Sequence, residues 1–307
     1  MLPDNLNPLT FIVIKKNIPN FFTCLNLLCG CIGIVLAFRG ELVWTAYMVG
    51  IAAVMDFLDG FVARLLKVHS EIGKQLDSLA DMVTFGVVPG VVMFKLFQES
   101  IFYYGWPEDI QGPNAILPGS FGDLWIDFNN PLTSWQLLLP FSAFLITIFS
   151  AIRLAKFNID TRQADSFIGV PTPANSILIC SLPLVLFTGN HLNECADGGY
   201  SGIGPLIKFW KNGPDFLQQW IMNPWFLLGL TLVMSFLLVA ELPLFALKFK
   251  NFSWKDNKIR FIFLALCLAL LIIFRQLGIP FIIVLYILMS VVNNSVNRNK
   301  RTSSDYE

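Results

Sequence analysis

Four aspartates in two short runs carry the chemistry that this 307-residue chain most plainly offers. One run reads Met55-Asp56-Phe57-Leu58-Asp59-Gly60-Phe61-Val62-Ala63-Arg64, the other Gly73-Lys74-Gln75-Leu76-Asp77-Ser78-Leu79-Ala80-Asp81. Residues three or four apart share one face of a helix, so Asp56 pairs with Asp59 and Asp77 with Asp81. Gly60 and Ala63 continue the first acidic stripe with side chains small enough for a ligand or a helix to approach closely. Carboxylates gathered this way repel one another unless a cation intervenes. Clustered carboxylate oxygens favour a hard divalent ion, Mg2+ or Mn2+, which keeps water and substrate phosphates in its shell. A proton relay or a cation pathway is the competing use of acids in a membrane. Acids merely solvated at a membrane rim are the bland alternative, and the paired helical spacing argues against it.

Those aspartates stand in a very apolar chain. Hydrophobic residues make up 55% and charged residues 14%, with 29 Phe and a mean hydropathy of +0.63. Soluble domains carry about a quarter charged residues. The composition excludes a disordered protein, an ordinary soluble enzyme and a nucleic-acid binder working through a basic surface. Its partner is a lipid bilayer, not nucleic acid. Six Cys lie far apart, mostly in apolar runs, which fits neither a disulfide framework nor a zinc ribbon. Cys29 and Cys31 point different ways on a helix and read as packing residues.

A span needs about 20 mostly apolar residues. Eight segments qualify or nearly so: 20–38, 42–63, 76–97, 135–155, 171–188, 224–246, 259–275 and 278–293. The fold expected is therefore all-α and integral to the membrane, with about eight transmembrane helices. The connection between the second and third spans is short, so these are antiparallel neighbours whose acidic faces meet at one depth. Lys15 and Lys16 precede the first run, but no small-residue cleavage site ends it, so no cleavable signal peptide is expected. Pro8 to Lys16 reads instead as an amphipathic approach at the interface.

Basic residues set the orientation. With an even number of spans both termini share a side, and sixteen of the 21 Lys and Arg fall there, against five opposite. Both termini, and the aspartates with them, are expected in the cytoplasm. The outer loops, about 98–134 and 189–223, are rich in Gly, Pro, Trp and acids, and their tryptophans suit the headgroup level.

The spacing Asp56-x2-Asp59-Gly60-x2-Ala63-Arg64-x8-Gly73-x3-Asp77-x3-Asp81 resembles, without gap or substitution, the motif of the CDP-alcohol phosphotransferases. Phe22 to Gly30, Thr84 to Pro89, Arg153 to Asn158 and Gly169 to Asn175 look like the phosphatidylserine-forming integral-membrane branch of that family. The resemblance is close over about 17–180, and it implies a six-helix core plus two further helices. The expected organisation is an interfacial segment at 1–19, a transmembrane catalytic domain at 20–293 and a polar, disordered cytoplasmic tail at 294–307. The resemblance also implies CDP-diacylglycerol and L-serine as substrates, a homodimer and a bacterial cytoplasmic membrane. By the family pattern Asp56, Asp59 and Asp77 bind metal, and Asp81 shares a metal or acts mainly as general base. Gly60, Ala63 and Gly73 belong to the stretch that admits the nucleotide, and Arg64 pairs with a phosphate or with an aspartate.

The aspartate motif does not separate serine from glycerol 3-phosphate, inositol phosphate or choline as acceptor; only the stretches around Arg153 and Pro171 favour serine. Arg153 is the candidate for the serine carboxylate, since guanidinium binds carboxylates bidentately; its alternative role is to set topology. Asn158, Thr172 and Asn175 supply polar contacts or serve as caps and turns. Thr84 and Asn26 either line the nucleotide site or join helices by hydrogen bonds. His69 reads as a solvated loop residue, and His191 lies on the opposite face from the acids. Glu241 is either a functional intramembrane acid or an interfacial partner of Lys248. Acids bunched at one end, with none at mid-membrane in the second and third spans, argue against a transporter.

Overall fold

The apolar run that follows Lys16 forms the end of one long helix, α1 (Pro8–Phe38), with Pro19 inside it. The computed structural model describes residues 8–68, 70–105, 138–159, 167–186, 219–244, 254–274 and 277–304. The chain turns at Gly40, which takes a φ of +82°, into α2 (Leu42–Leu66), and α1 and α2 pack together as a hairpin. Thr45 fixes the closed end, its hydroxyl 3.0 Å from Glu41 O and 3.2 Å from Gly33 O. Lys67, in the left-handed conformation, ends α2. Ser70 then opens α3 (Glu71–Asp81) by accepting the Gly73 amide at 3.2 Å. A hydroxyl there satisfies an amide that the first helical turn leaves unpaired.

From Asp81 the chain runs on through a π-helical turn, Met82–Val87, into α4 (Val88–Gly105). The extra residue in a π turn changes the direction in which flanking side chains point. This rod is the centre of the fold. In the most apolar 18-residue window of its candidate span Glu71–Ile101, 72% of the residues are buried, against 11% for Asn257–Phe274. Phe85, Met93, Leu96 and Phe97 on it are fully buried. Gly86 and Gly90 meet Ser150 and Thr147 of the next helix, and Thr147 Oγ1 donates to Gly86 O at 3.0 Å. Small residues at that spacing let helices pack closely where lipid offers no hydrophobic drive between them.

After a 3-10 turn, Leu139–Ala143, α5 (Phe144–Ile159) packs along the π turn. α6 (Thr172–Leu186) is almost wholly buried against α2, α4 and the last helix. α7 (Pro224–Val239) is capped by Asn223 and lies on α5. β1 (Phe167–Ile168) and β2 (Pro243–Leu244) make a two-residue antiparallel bridge. α8 (Trp254–Phe274) and α9 (Gly278–Ser304) pack together, and α9 also lies on α6.

Among the described residues four helices are long and apolar enough to cross a membrane: Asn17–Phe38, Glu71–Ile101, Leu139–Ile159 and Asn257–Phe274. Three shorter apolar helices, Thr172–Leu186, Pro224–Val239 and Gly278–Asn293, accompany them. The described residues are thus all-helical apart from one short bridge, with several helices apolar enough to suit a membrane.

Several boundaries differ from the sequence reading. Pro8 to Lys16 is helical and runs without a break into the first apolar run, which begins as a candidate span at Asn17. The residues after Asn293 continue α9 as far as Ser304 instead of losing structure. The sixth span ends at Val239, not near 246. Its cause is a backbone clamp: the Val170 amide takes Leu237 O and the Gly169 amide takes Leu242 O, each at 3.0 Å. These bonds satisfy carbonyls at the α7 end and draw the following residues into β2. His69, His191, Lys248 and nearly all of the two outer loops lie outside the described residues.

Gly169 holds a φ of +75°, and a Cβ there would stand 2.7 Å from Leu238 O. Gly169→Ala should therefore lower stability by about 1–3 kcal/mol. A fall in the thermal unfolding midpoint in detergent checks this, and an unchanged midpoint would remove the clamp from the account.

Candidate active site

The loop between α2 and α3 is short, so the two helices place their acids side by side. Asp56, Asp59 and Asp77 each offer a carboxylate oxygen, and these oxygens lie within 4.8 Å of one another. Asp59 is buried, and the other two are half-buried. Thr23 on α1 donates its hydroxyl to Asp59 Oδ2 at 2.7 Å. Asp77 Oδ1 is buried without a hydrogen-bond partner.

Asp81 is held differently. It lies one helical turn beyond Asp77, at the start of the π turn, and its Oδ1 accepts the Asn26 amide at 3.1 Å. Asn26 is itself fully buried, and Thr84 donates to its backbone carbonyl at 3.1 Å. Thr23 and Asn26 are three residues apart on α1, so one helical face supports both a member of the trio and the fourth aspartate.

The trio suits a divalent ion. Oxygens on an octahedral ion at about 2.1 Å stand about 3–4 Å apart, close to the spread seen here. The unpartnered Asp77 oxygen fits a metal ligand, since buried polar atoms are otherwise hydrogen-bonded. Carboxylates, with no His or Cys among them, match a hard cation such as Mg2+ or Mn2+.

The other sequence candidates fall in varied places. Gly60 is exposed, and a Cβ built on it meets nothing within 4 Å, so protein packing does not demand a glycine there. Ala63 is half-buried one turn on. Arg64 turns back on its own helix, Nε donating to Gly60 O at 2.9 Å. At Gly73 a Cβ would stand 2.8 Å from Asn20 Oδ1, so its small size serves the approach of α1. Thr84 acts as a link between helices through its bond to Asn26. Asn158 donates its amide to Ser78 Oγ at 3.0 Å, which ties the end of α5 to the residue beside Asp77. Arg153 is buried, its Nε has no hydrogen-bond partner, and it interacts electrostatically with Asp81. Asn175 is fully buried with both amide atoms unpartnered. Glu241 lies exposed just past the end of α7.

Thr23 and Ser78 are the supports that motif reading did not single out. The available signal was slight: a hydroxyl three residues before Asn26, and another adjacent to Asp77.

Residues 16–107 match the model of the CDP-alcohol phosphatidyltransferase family. It is similar to the CDP-diacylglycerol–serine O-phosphatidyltransferase of Helicobacter pylori strain J99, 35% identical over 163 residues, 52% of this chain and 54% of that one. The enzyme of the same name from Bacillus subtilis strain 168 is 28% identical over 156 residues, 51% of this chain and 69% of that one. The archaetidylserine synthase of Methanothermobacter thermautotrophicus is 25% identical over 173 residues, 55% of this chain and 59% of that one. The chain thus spans about half the length of the Helicobacter relative.

Divalent cation alone should raise the thermal stability of the protein in detergent. At 100 times its dissociation constant the gain is about 2.7 kcal/mol. Asp56→Asn, Asp59→Asn and Asp77→Asn should each remove most of that gain, and Thr23→Val only part of it. Equal cation-induced shifts in the wild type and all three Asn variants would dissociate the trio from metal.

Proposed function

We propose that the chain transfers the phosphatidyl group of CDP-diacylglycerol to the hydroxyl of L-serine, giving phosphatidylserine and CMP, in a reaction dependent on Mg2+ or Mn2+. The observation that carries this reading is the division among the aspartates. Three converge on one point, while the fourth is held beside them by a separate amide from α1. The similarity to relatives named for serine as acceptor supports the choice of alcohol. The archaetidylserine synthase joins serine to a different lipid in name, and so it points to the serine side as the shared feature.

In this reading Asp56, Asp59 and Asp77 hold the metal, with Asp81 free to share it. A bound divalent ion supplies charge neutralisation on the diphosphate. The rest falls to the chain's own residues. Gly60 and Ala63 leave room on the acidic face of α2 for the nucleotide. Asp81, oriented by Asn26, takes the proton of the serine hydroxyl as its oxygen attacks the lipid-bearing phosphorus. The bond from that phosphorus to the CMP oxygen breaks, and CMP leaves with the electron pair. Arg153 takes the serine carboxylate, and its unpartnered Nε and burial beside Asp81 support that role. Asn158, Gly73 and Thr84 shape the site by holding α3, α1 and the π turn together.

The eight helical passes, α1, α2, the α3–α4 rod and α5 to α9, are read as eight membrane spans with both termini in the cytoplasm. The distribution of basic residues supports this orientation. It puts the site at the cytoplasmic face, where a cytidine diphosphate stays in water while its acyl chains remain in lipid. The bacterial relatives support a bacterial cytoplasmic membrane, and the family resemblance supports a homodimer.

Purified protein given CDP-diacylglycerol, L-serine and Mg2+ or Mn2+ should release CMP, and EDTA should abolish the release. Strong turnover with glycerol 3-phosphate, inositol phosphate or choline, and none with serine, would reassign the acceptor. Asp81→Asn should retain binding of the CDP-lipid while turnover falls by about 10²–10⁴-fold. Near-normal turnover in that variant would remove Asp81 as the base.

A further inference from the structure

α5 runs antiparallel to the rod made of α3, the π turn and α4, and side chains fix its register along the way. Phe144 stacks on Phe94 with ring centroids 5.5 Å apart, and Thr147 donates to Gly86 O at 3.0 Å. A Cβ built on Gly86 would stand 3.2 Å from Cβ of Ser150. The last pairing is polar. Asn158 donates its amide to Ser78 Oγ at 3.0 Å, and the Ser78 proton has Asn158 Oδ1 and Lys74 O within reach, each at 3.2 Å. Arg153 lies on the buried face of α5, between Ser150 and Asn158. It therefore falls opposite the stretch between Gly86 and Ser78, which holds Asp81.

The guanidinium of Arg153 stands on a long stem, and its Nε has no hydrogen-bond partner. The backbone of α5 thus decides where that cation lies. On the Ser150 side the backbone is held by close packing on the π turn. On the other side it is not: of residues 155–159 only Asn158 escapes exposure, and Phe157 and Ile159 are 41% and 81% exposed. A terminal turn with so few buried contacts frays unless something else ties it. Resting on the serine reading given above, we infer that Ser78 and Asn158 form a clasp that positions Arg153 for the carboxylate of the amino-acid acceptor. Both are positioning residues, acting through Arg153 by holding the last turn of α5 against α3. Asn158 spends its amide on Ser78 and is not itself a ligand of serine. A binding group displaced by a fraction of an ångström loses its fit to the substrate, so the clasp matters to the acceptor and not to the metal.

The test compares L-serine with L-serinamide, which keeps the hydroxyl and ammonium but replaces the carboxylate with a neutral amide. Serinamide is read as a substrate or as a competitive inhibitor, using the full chain with CDP-diacylglycerol and Mg2+ or Mn2+. Ser78→Ala and Asn158→Ala should each raise the KM for L-serine about fivefold, the effect of one neutral hydrogen bond. The constant for serinamide, the KM for CDP-diacylglycerol and the thermal shift given by Mg2+ alone should stay at their wild-type values. The double variant should lose no more than either single one, because both break the same pair. Ser78→Thr, which keeps the hydroxyl, should keep the wild-type preference. Poor folding lowers the amount of active enzyme but not its choice between acceptors, so a merely structural pair would leave the preference alone. An unchanged preference for serine over serinamide in both alanine variants, or losses that add in the double variant, would overturn the clasp and leave the serine reading standing. Absence of any turnover of L-serine by the wild-type chain would overturn that reading, and this inference with it.

Discussion

Like charges drawn together inside an apolar bundle are the constraint on which the rest of the structure turns. Asp56, Asp59 and Asp77 bring carboxylate oxygens within 4.8 Å, at the junction of two helices in a chain only 14% charged. An arrangement of that kind raises the energy of the empty protein and lowers it again when a cation enters. The scaffold must therefore hold the acids in place against their own repulsion. α1 does much of this work, since Thr23 bonds Asp59 and Asn26 bonds Asp81 from one helical face. The π turn directly after Asp81 is locked in turn by Thr84 on Asn26 and by Thr147 on Gly86.

Positions around the site separate into those that leave space and those that fill it. Gly60 borders open space, whereas Gly73 and Gly86 lie where neighbouring side chains press close. The same residue type in one motif thus serves two ends. Room at Gly60 suits a ligand, and contact at Gly73 lets α1 approach α3. Arg64 is similar in kind: a cation beside the acids that spends its Nε on a carbonyl of its own helix.

The later helices complete the framework around this centre. The Gly169–Val170 clamp ends α7 early and joins the loop before α6 to the segment after α7. α9 reaches back to α6 and sets Tyr286 against Phe263 of α8. None of these long-range contacts falls within the segment that matches the family model. That segment holds the four aspartates, and α5, which carries Arg153, packs from outside it against its π turn and α4.

What the sequence determined by itself was whatever depends on local spacing. Apolar runs fixed the helices, because a backbone in lipid must satisfy its own hydrogen bonds. The intervals from Asp56 to Asp59 and from Asp77 to Asp81 fixed two acidic faces, because a helix repeats every 3.6 residues. A short loop between them made those faces neighbours. Tertiary structure alone decided what depends on distant segments meeting. It set which acid receives a hydroxyl and which an amide, that α7 stops at Val239 instead of running on, and that α9 packs back on α6 from far along the chain. Period and hydropathy describe one helix at a time, and they carry no term for the face that a second helix, arriving from far along the chain, will present.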